Sequence, residues 1–389
     1  MTPAARLQAV IDILSTGTAQ PLDRQLKAWF RGHRFAGSGD RRAITERVYA
    51  IFRHHAHFMH RMGGDAPRAL AIASLLADSE NPEGYFSGGY GPAPLSDAER
   101  ASIAAAPGAL PSWVEGEYPA WLEKELQRGF GARLGEEMRA FQPRAPVDIR
   151  VNRLKAHRDQ VLAQLQADGF ECVALANLPD AIRCPAGAAL TAHPLYLSGA
   201  FEIQDAAAQE AVGLCQAKPG MRVLDLAAGA GGKSLALAAA MQNKGEIVAS
   251  DIREDALAEL SRRATRAGAA IIRTHLLGTS PQGPFDLVLL DAPCSGSGTW
   301  RRQPELKWRL TEERLVGLCA LQDRLLDQAA GLGPFLVYAT CSILMRENRD
   351  RVEAFLSRHP GFSRAGAEFH ASPATTGSDG FYAARLQLG

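Results

Sequence analysis

From Met221 onward the chain alternates short apolar runs with helical stretches, and few folds accept that pattern. The runs read MRVLDLA, EIVASD, IIRTHLL, FDLVLLD and PFLVYAT, each β-rich and apolar on both faces. Parallel strands covered by helices on both sides read this way, because neither face meets water. Helical spacing fills the gaps: the residues after Gly232, 254–266, and 312–330, where Leu315, Leu318, Cys319, Gln322 and Leu325 share one face. The pattern predicts an α/β, Rossmann-like doubly wound parallel sheet over 206–389. Upstream the character differs. Residues 1–140 carry helical periodicity (Leu7, Val10, Ile11, Leu14; then Ile44, Val48, Ile51, Phe52) and a glycine- and proline-rich loop at 81–97, which predicts an all-helical domain. Residues 141–205 hold strand, helix and strand signals in too little chain for a large sheet, and predict a small α/β subdomain.

Charge and cysteine usage narrow the class of function. The net charge of +1 hides a basic stretch: Arg24, Lys27, Arg31, Arg34, Arg41, Arg42, Arg47, Arg53 and Arg61 face only Asp40 and Glu46 over 24–61. Such a stretch predicts a phosphate-facing RNA footprint. No apolar run approaches the roughly 20 residues that cross a bilayer, and the N-terminus has no secretory pattern, so a cytoplasmic protein without a membrane partner is expected. The cysteines (Cys172, Cys184, Cys215, Cys294, Cys319, Cys341) form no C-x-x-C pair. Free thiols, with neither a disulfide framework nor a zinc site, are therefore expected.

The first strand ends in VLDLAAGAGGKS, a glycine-rich turn opening a helix, where open α/β sheets bind nucleotide-like ligands. Three ligand classes compete for it. A phosphate-binding P-loop would need glycine at Ala227, and a dinucleotide fingerprint would need it at Ser234. An acidic strand residue followed by G-x-G, as in Asp225, Gly229 and Gly231, fits the turn that cradles S-adenosylmethionine (SAM). Asp251, at the end of the next strand, is placed to accept from the ribose hydroxyls.

The fourth strand ends in DAPCSGSGTW and the fifth in ATCS, so Cys294 and Cys341 both lie at the carboxyl edge of the sheet, on the ligand side. Buried cysteines are commonly small core residues, but Cys294 follows Asp291 and Pro293 and precedes a flexible loop. A thiolate has a use there. Carbon 5 of cytosine is a poor nucleophile until a thiolate adds to carbon 6 and converts the ring to an enamine. A carboxylate such as Asp291 could hold the exocyclic amine and nitrogen 3 during that addition.

With DLAAGAGGKS, LLDAPCSGSGTWRRQPELKW and VYATCSILMRENRD assembled, the chain resembles the Nol/Nop/Sun family of RNA cytosine-5 methyltransferases, and within it the bacterial branch acting on 16S ribosomal RNA. The resemblance covers about 140–389 and includes Arg150–Asn152 (RVN), FEIQDAAAQ at 201–209 and DGFYAARL at 379–386. It implies a class I SAM-dependent methyltransferase fold. It also implies an antiterminator-like RNA-binding helical domain over 1–140, an RNA-binding subdomain over 141–205, and a monomer acting on ribosomal RNA. Carried across by position, it makes Cys341 the nucleophile and Cys294 the residue that helps release product. Ala227, Ala228, Gly229, Ala230, Gly231, Gly232, Lys233, Asp251 and Asp291 would line the SAM site. The chain departs from the family at Ala230, where proline is usual, and near Met345, where a proline is also usual. It also lacks the acidic residue that usually ends the third strand.

Two further stretches carry expectations. His54, His55, His57 and His60 crowd one helix and read as a basic, solvated face toward phosphates rather than a metal site. Arg301, Arg302, Lys307, Trp308 and Arg309 combine charge with a stacking ring, as contacts to a flipped-out base would. The competing reading of the whole chain is a catalytically idle RNA-binding or ribosome-assembly factor that keeps the fold.

Overall fold

The computed structural model describes residues 1–17, 20–106, 108–277 and 281–389. The chain divides into two compact units, one of Met1–Pro143 with Trp300–Thr311 and the other of Arg144–Thr299 with Glu312–Gly389.

The first unit is helical. Its core gathers Val10, Ile13 and Leu14 from the helix Pro3–Ser15 with Ile44, Val48, Ile51 and Phe52 from Ser38–Arg53; of the positions read from the sequence, Leu7 and Ile11 join a second cluster with Ala71, Ile72 and Leu75 instead. Side-chain caps begin its helices: Thr2 accepts from Ala5 N–H, and Ser96 from Glu99 N–H. Trp308 packs against the same core and donates from Nε1 to the Phe52 carbonyl at 2.9 Å.

The second unit holds two sheets. The smaller comprises β1 (Val147–Val151), β2 (Val173–Ala174), β3 (Ala181–Cys184) and β4 (Phe201–Ile203) in the order β2-β3-β1-β4, all antiparallel. One expectation fails in it. Cys172 and Cys184 form a disulfide. Val173 pairs with Arg183 across the hairpin, so the flanking cysteines fall opposite each other with Cα atoms 4.2 Å apart. Nothing in a spacing of 12 residues announces that register.

The larger sheet contains β5 (Arg222–Leu226), β6 (Glu246–Asp251), β7 (Ile272–Leu276), β8 (Leu287–Asp291), β9 (Phe335–Thr340), β10 (Phe362–Arg364), β11 (Phe369–Ala371) and β12 (Phe381–Leu388). Its order is β10-β12-β9-β8-β5-β6-β7, with β11 also paired to β12. The five strands foreseen are parallel, but β10, β11 and β12 join antiparallel, so the sheet is mixed. Successive strand residues serve opposite faces. Val223, Ile247, Leu287 and Leu289 pack against the helices Gly232–Ala240 and Glu254–Ala267, while Leu224, Val288, Leu290 and Tyr338 pack against Glu312–Ala330 and Arg349–Arg358. The chain leaves β5 toward β6 and β7, then returns to the other side of β5 as β8. Strand order thus reverses between β5 and β8, and their carboxyl ends open a crevice at that switch point.

Candidate active site

Four segments converge on this crevice: the turn after β5, the end of β6, the loop after β8 and the loop after β9. The turn Ala227–Gly231 is left-handed at Ala227, Gly229 and Gly231 (φ 77°, 57° and 81°). Gly231 is required twice over, since a Cβ there would also lie 2.4 Å from Leu260 Cγ. Ala227 and Ala228 N–H both donate to the Ser250 carbonyl, which ties the turn to β6.

Asp225 lies beneath this turn, fully buried. Ser234 Oγ donates to its Oδ2, and Oδ1 has no hydrogen-bond partner. Burial pushes its carboxyl up to about 6. Asp251 is also buried, but it is crowded with donors: Gly229 N–H at 2.8 Å, Arg253 N–H at 2.9 Å, and the Arg253 guanidinium at 3.1 and 3.2 Å. Burial alone would raise the Asp251 carboxyl, yet the hydrogen bonds from Arg253 and Gly229 hold it below the ordinary range. Those four donors fill the acceptor positions of Asp251, so a hydroxyl-bearing ligand would take the place of the Arg253 guanidinium there, while the orphaned Asp225 oxygen puts a buried acid beneath the turn.

Lys233 does more than complete the turn. From the helix Gly232–Ala240 its ammonium reaches Asp291 Oδ2 at 2.6 Å. Burial pulls the Lys233 ammonium down, but the charges of Asp291 and Cys341 together with that hydrogen bond leave it raised and firmly protonated. Cys294 and Cys341 stand with their sulfurs 3.4 Å apart. The hydrogen bond to Cys341, and then burial, hold the Cys294 thiol well above the usual thiol range.

The loop carrying Cys294 is pinned on both sides. Gly298 N–H donates to the Cys341 carbonyl at 2.9 Å, and Gly380 N–H donates to the Gly298 carbonyl at 2.8 Å. A Cβ at Gly298 would lie 1.8 Å from the Gly380 carbonyl oxygen, so only glycine fits. The structure therefore brings Asp291, Cys294, Cys341 and Lys233 together beside the turn. Sequence reading missed the Lys233–Asp291 pair, because it joins residues on different strand-helix units.

The helical unit corrects two expectations. Lys307 is 1% exposed and Arg301 6%, so neither presents its charge to a base; burial depresses the Lys307 ammonium to about 8. The histidines do not form a solvated face either. Burial lowers the pKa of His54 and His55, and the His55 ring packs against Trp308 at 4.6 Å. His57 gives its Nδ1 to the buried Glu117 at 2.6 Å, and that hydrogen bond raises its pKa. The basic stretch itself divides. Arg47 pairs with Glu80, and Arg53 and Arg61 donate to backbone carbonyls, while Lys27, Arg31, Arg34 and Arg41 line an open groove with Phe30.

Residues 213–387 match the family described as 16S rRNA methyltransferase RsmB/F, and 118–190 match the RsmF/B-like ferredoxin-like domain. Ribosomal RNA small subunit methyltransferase B of Klebsiella pneumoniae is 35% identical over 288 residues, covering 69% of this chain and 65% of that protein. The match thus spans just under two thirds of the relative's length. The crystal structure of PH0851 superposes with a TM-score of 0.79 and 25% identity over 100% of this chain and 99% of its own. A methyltransferase homolog protein from Pyrococcus horikoshii gives 0.62 and 25% over 72% of this chain and 98% of its own.

Proposed function

This chain belongs to the RsmB/F methyltransferase family, and on that premise we propose that it transfers a methyl group from SAM to carbon 5 of a cytosine in RNA, namely 16S ribosomal RNA. The observation that carries the proposal is the pair of sulfurs 3.4 Å apart, beside Lys233 and Asp291, at the carboxyl edge of the sheet. A methyltransferase acting on an amino group has no need of two thiols.

SAM supplies the electrophilic methyl group. The backbone of Ala227, Ala228, Gly229, Ala230, Gly231, Gly232 and Lys233 would hold it, with Asp251 at the ribose hydroxyls and Asp225 beneath. Cys341 is the nucleophile: its thiolate adds to carbon 6 of the ring, and carbon 5 becomes able to attack. The Lys233 ammonium stabilises that thiolate and orients Asp291, which holds the exocyclic amine and nitrogen 3. The choice of Cys341 over Cys294 is the one the family resemblance implies, and the second sulfur stands 3.4 Å from the first. After transfer the proton on carbon 5 must leave, and the carbon 6–sulfur bond must break with its electron pair returning to Cys341. Cys294 is the neighbouring group that assists this step. On the same reading 206–389 performs the chemistry, 1–140 and 141–205 bind RNA, and the protein acts as a cytoplasmic monomer.

Trapping the adduct tests the assignment. With SAM and substrate RNA, Cys294→Ala should accumulate a denaturant-resistant protein–RNA species that RNase collapses on a gel, and Cys341→Ala should give neither adduct nor product. An adduct in Cys341→Ala alone would exchange the roles. Full activity in both variants would rule out covalent catalysis.

A further inference from the structure

Each reacting cysteine is followed directly by a serine, and both serines bind one carboxylate. Glu347, in the turn Met345–Glu347, is fully buried. Its Oε1 accepts from Ser295 N–H at 2.8 Å and from Gln322 Nε2 at 3.1 Å. Its Oε2 accepts from Ser295 Oγ at 2.5 Å and from Ser342 Oγ at 2.6 Å. All four donors are neutral, and they occupy the four lone-pair positions that a carboxylate offers. Gln322 also donates to the Pro293 carbonyl at 2.9 Å, so the Cys294 loop is gripped on both sides of the cysteine. The carboxylate is itself held, because Tyr338 donates to the Glu347 carbonyl and Asn348, bonded to Thr340, donates to the Ser342 carbonyl.

We propose that Glu347 is the positioning residue for both thiols, a clamp joining the loops after β8 and β9 that sets the separation of Cys294 and Cys341. The proposal rests on the reading of these cysteines as the reacting pair. A residue bonded at its own backbone and side chain leaves its neighbour little freedom, since consecutive Cα atoms are only about 3.8 Å apart. Glutamine could not replace Glu347 without loss. Its amide turns one pair of acceptor sites into donors, which would then face Ser295 and Ser342, or Ser295 and Gln322.

The separation can be read without methyl transfer. A diazenedicarboxamide oxidant takes up the two hydrogens of a neighbouring thiol pair and leaves a disulfide, at a rate that depends on how often the sulfurs meet. In the full-length wild type, peptide mapping should find a Cys294–Cys341 disulfide forming rapidly. Glu347→Gln should slow its formation by about tenfold, and Ser295→Ala, which keeps the backbone N–H donor, by about threefold. In methylation assays kcat should fall in the same order with KM for RNA unchanged. Wild-type oxidation rates in both variants would overturn the proposal, as would a rise in KM at constant kcat. If Glu347→Gln fails to fold, Ser295→Ala carries the test. Should the wild type fail to methylate RNA, the proposed function falls, and the oxidation rates still decide the clamp.

Discussion

Replacing Asp225 with asparagine should make the larger sheet more stable at high pH and remove part of its pH dependence. The carboxyl is fully buried, hydrogen-bonded at Oδ2 by Ser234 alone, and pushed by burial to about 6 from 3.8. The folded state therefore keeps a proton that the unfolded chain releases, so stability is lost as pH rises from 3.8 through 6 and stays lost above. At about 1.4 kcal/mol per unit the full cost is about 3 kcal/mol, of which about 1.4 kcal/mol falls between pH 5 and pH 8. Asparagine has no such titration. Its Nδ2 inherits the orphan position, a penalty of about 1–3 kcal/mol that is the same at every pH and cancels when two pH values are compared. Tryptophan fluorescence does not report on the larger sheet directly, because Trp29, Trp113, Trp121, Trp300 and Trp308 all belong to the helical unit. Hydrogen exchange at the β5 and β6 amides does, with wild type and variant compared at each pH so that intrinsic exchange cancels. The variant's protection relative to wild type should grow by about 1.4 kcal/mol from pH 5 to pH 8. Parallel profiles would show that Asp225 is not the buried acid described.

Asp251→Ala should weaken SAM binding, measured by calorimetry, by about 1–3 kcal/mol, the scale of losing charge-assisted hydrogen bonds; unchanged affinity would remove Asp251 from the site. Reversing Arg31, Arg34, Arg41 and Arg42 to glutamate should weaken RNA binding and flatten its salt dependence, with the log–log slope falling by about one for every phosphate that is no longer neutralised. An unaltered slope would make this basic stretch an ordinary solvated face.

What the sequence disclosed was whatever a single segment can encode. Strands apolar on both faces announced their own burial, Asp225 and Asp251 stood at strand ends, and the G-x-G turn asked for glycine before Leu260 was known to press on it. The residues that stayed hidden depend on pairings between distant segments. DGFYAARL did not read as an antiparallel β12, because a strand's direction is set by its neighbour β9. Lys233 read as part of the SAM site, and its pairing appeared only when β8 brought Asp291 to it; Glu347 carried no functional reading. Lys307 and the histidines misled for a related reason. Charge reads as exposure in a sequence, and only the folded helical unit supplies the aromatic rings and the buried Glu117 that enclose them.

The pinning of Gly298 bears on the order in which the site can come into being. Besides its bonds to Glu347 and Gln322, the Cys294 loop is held by two carbonyl hydrogen bonds at Gly298, one to Cys341 and one from Gly380, the residue just before β12. A ribosome that has delivered the chain only as far as Arg364 has already made both thiols, the glycine turn and Lys233, but not the segment that closes the loop. Such a nascent chain holds every reacting atom and the Glu347 clamp, but not the Gly380 N–H that closes the loop beyond Cys294. That last hydrogen bond waits for the segment leading into β12.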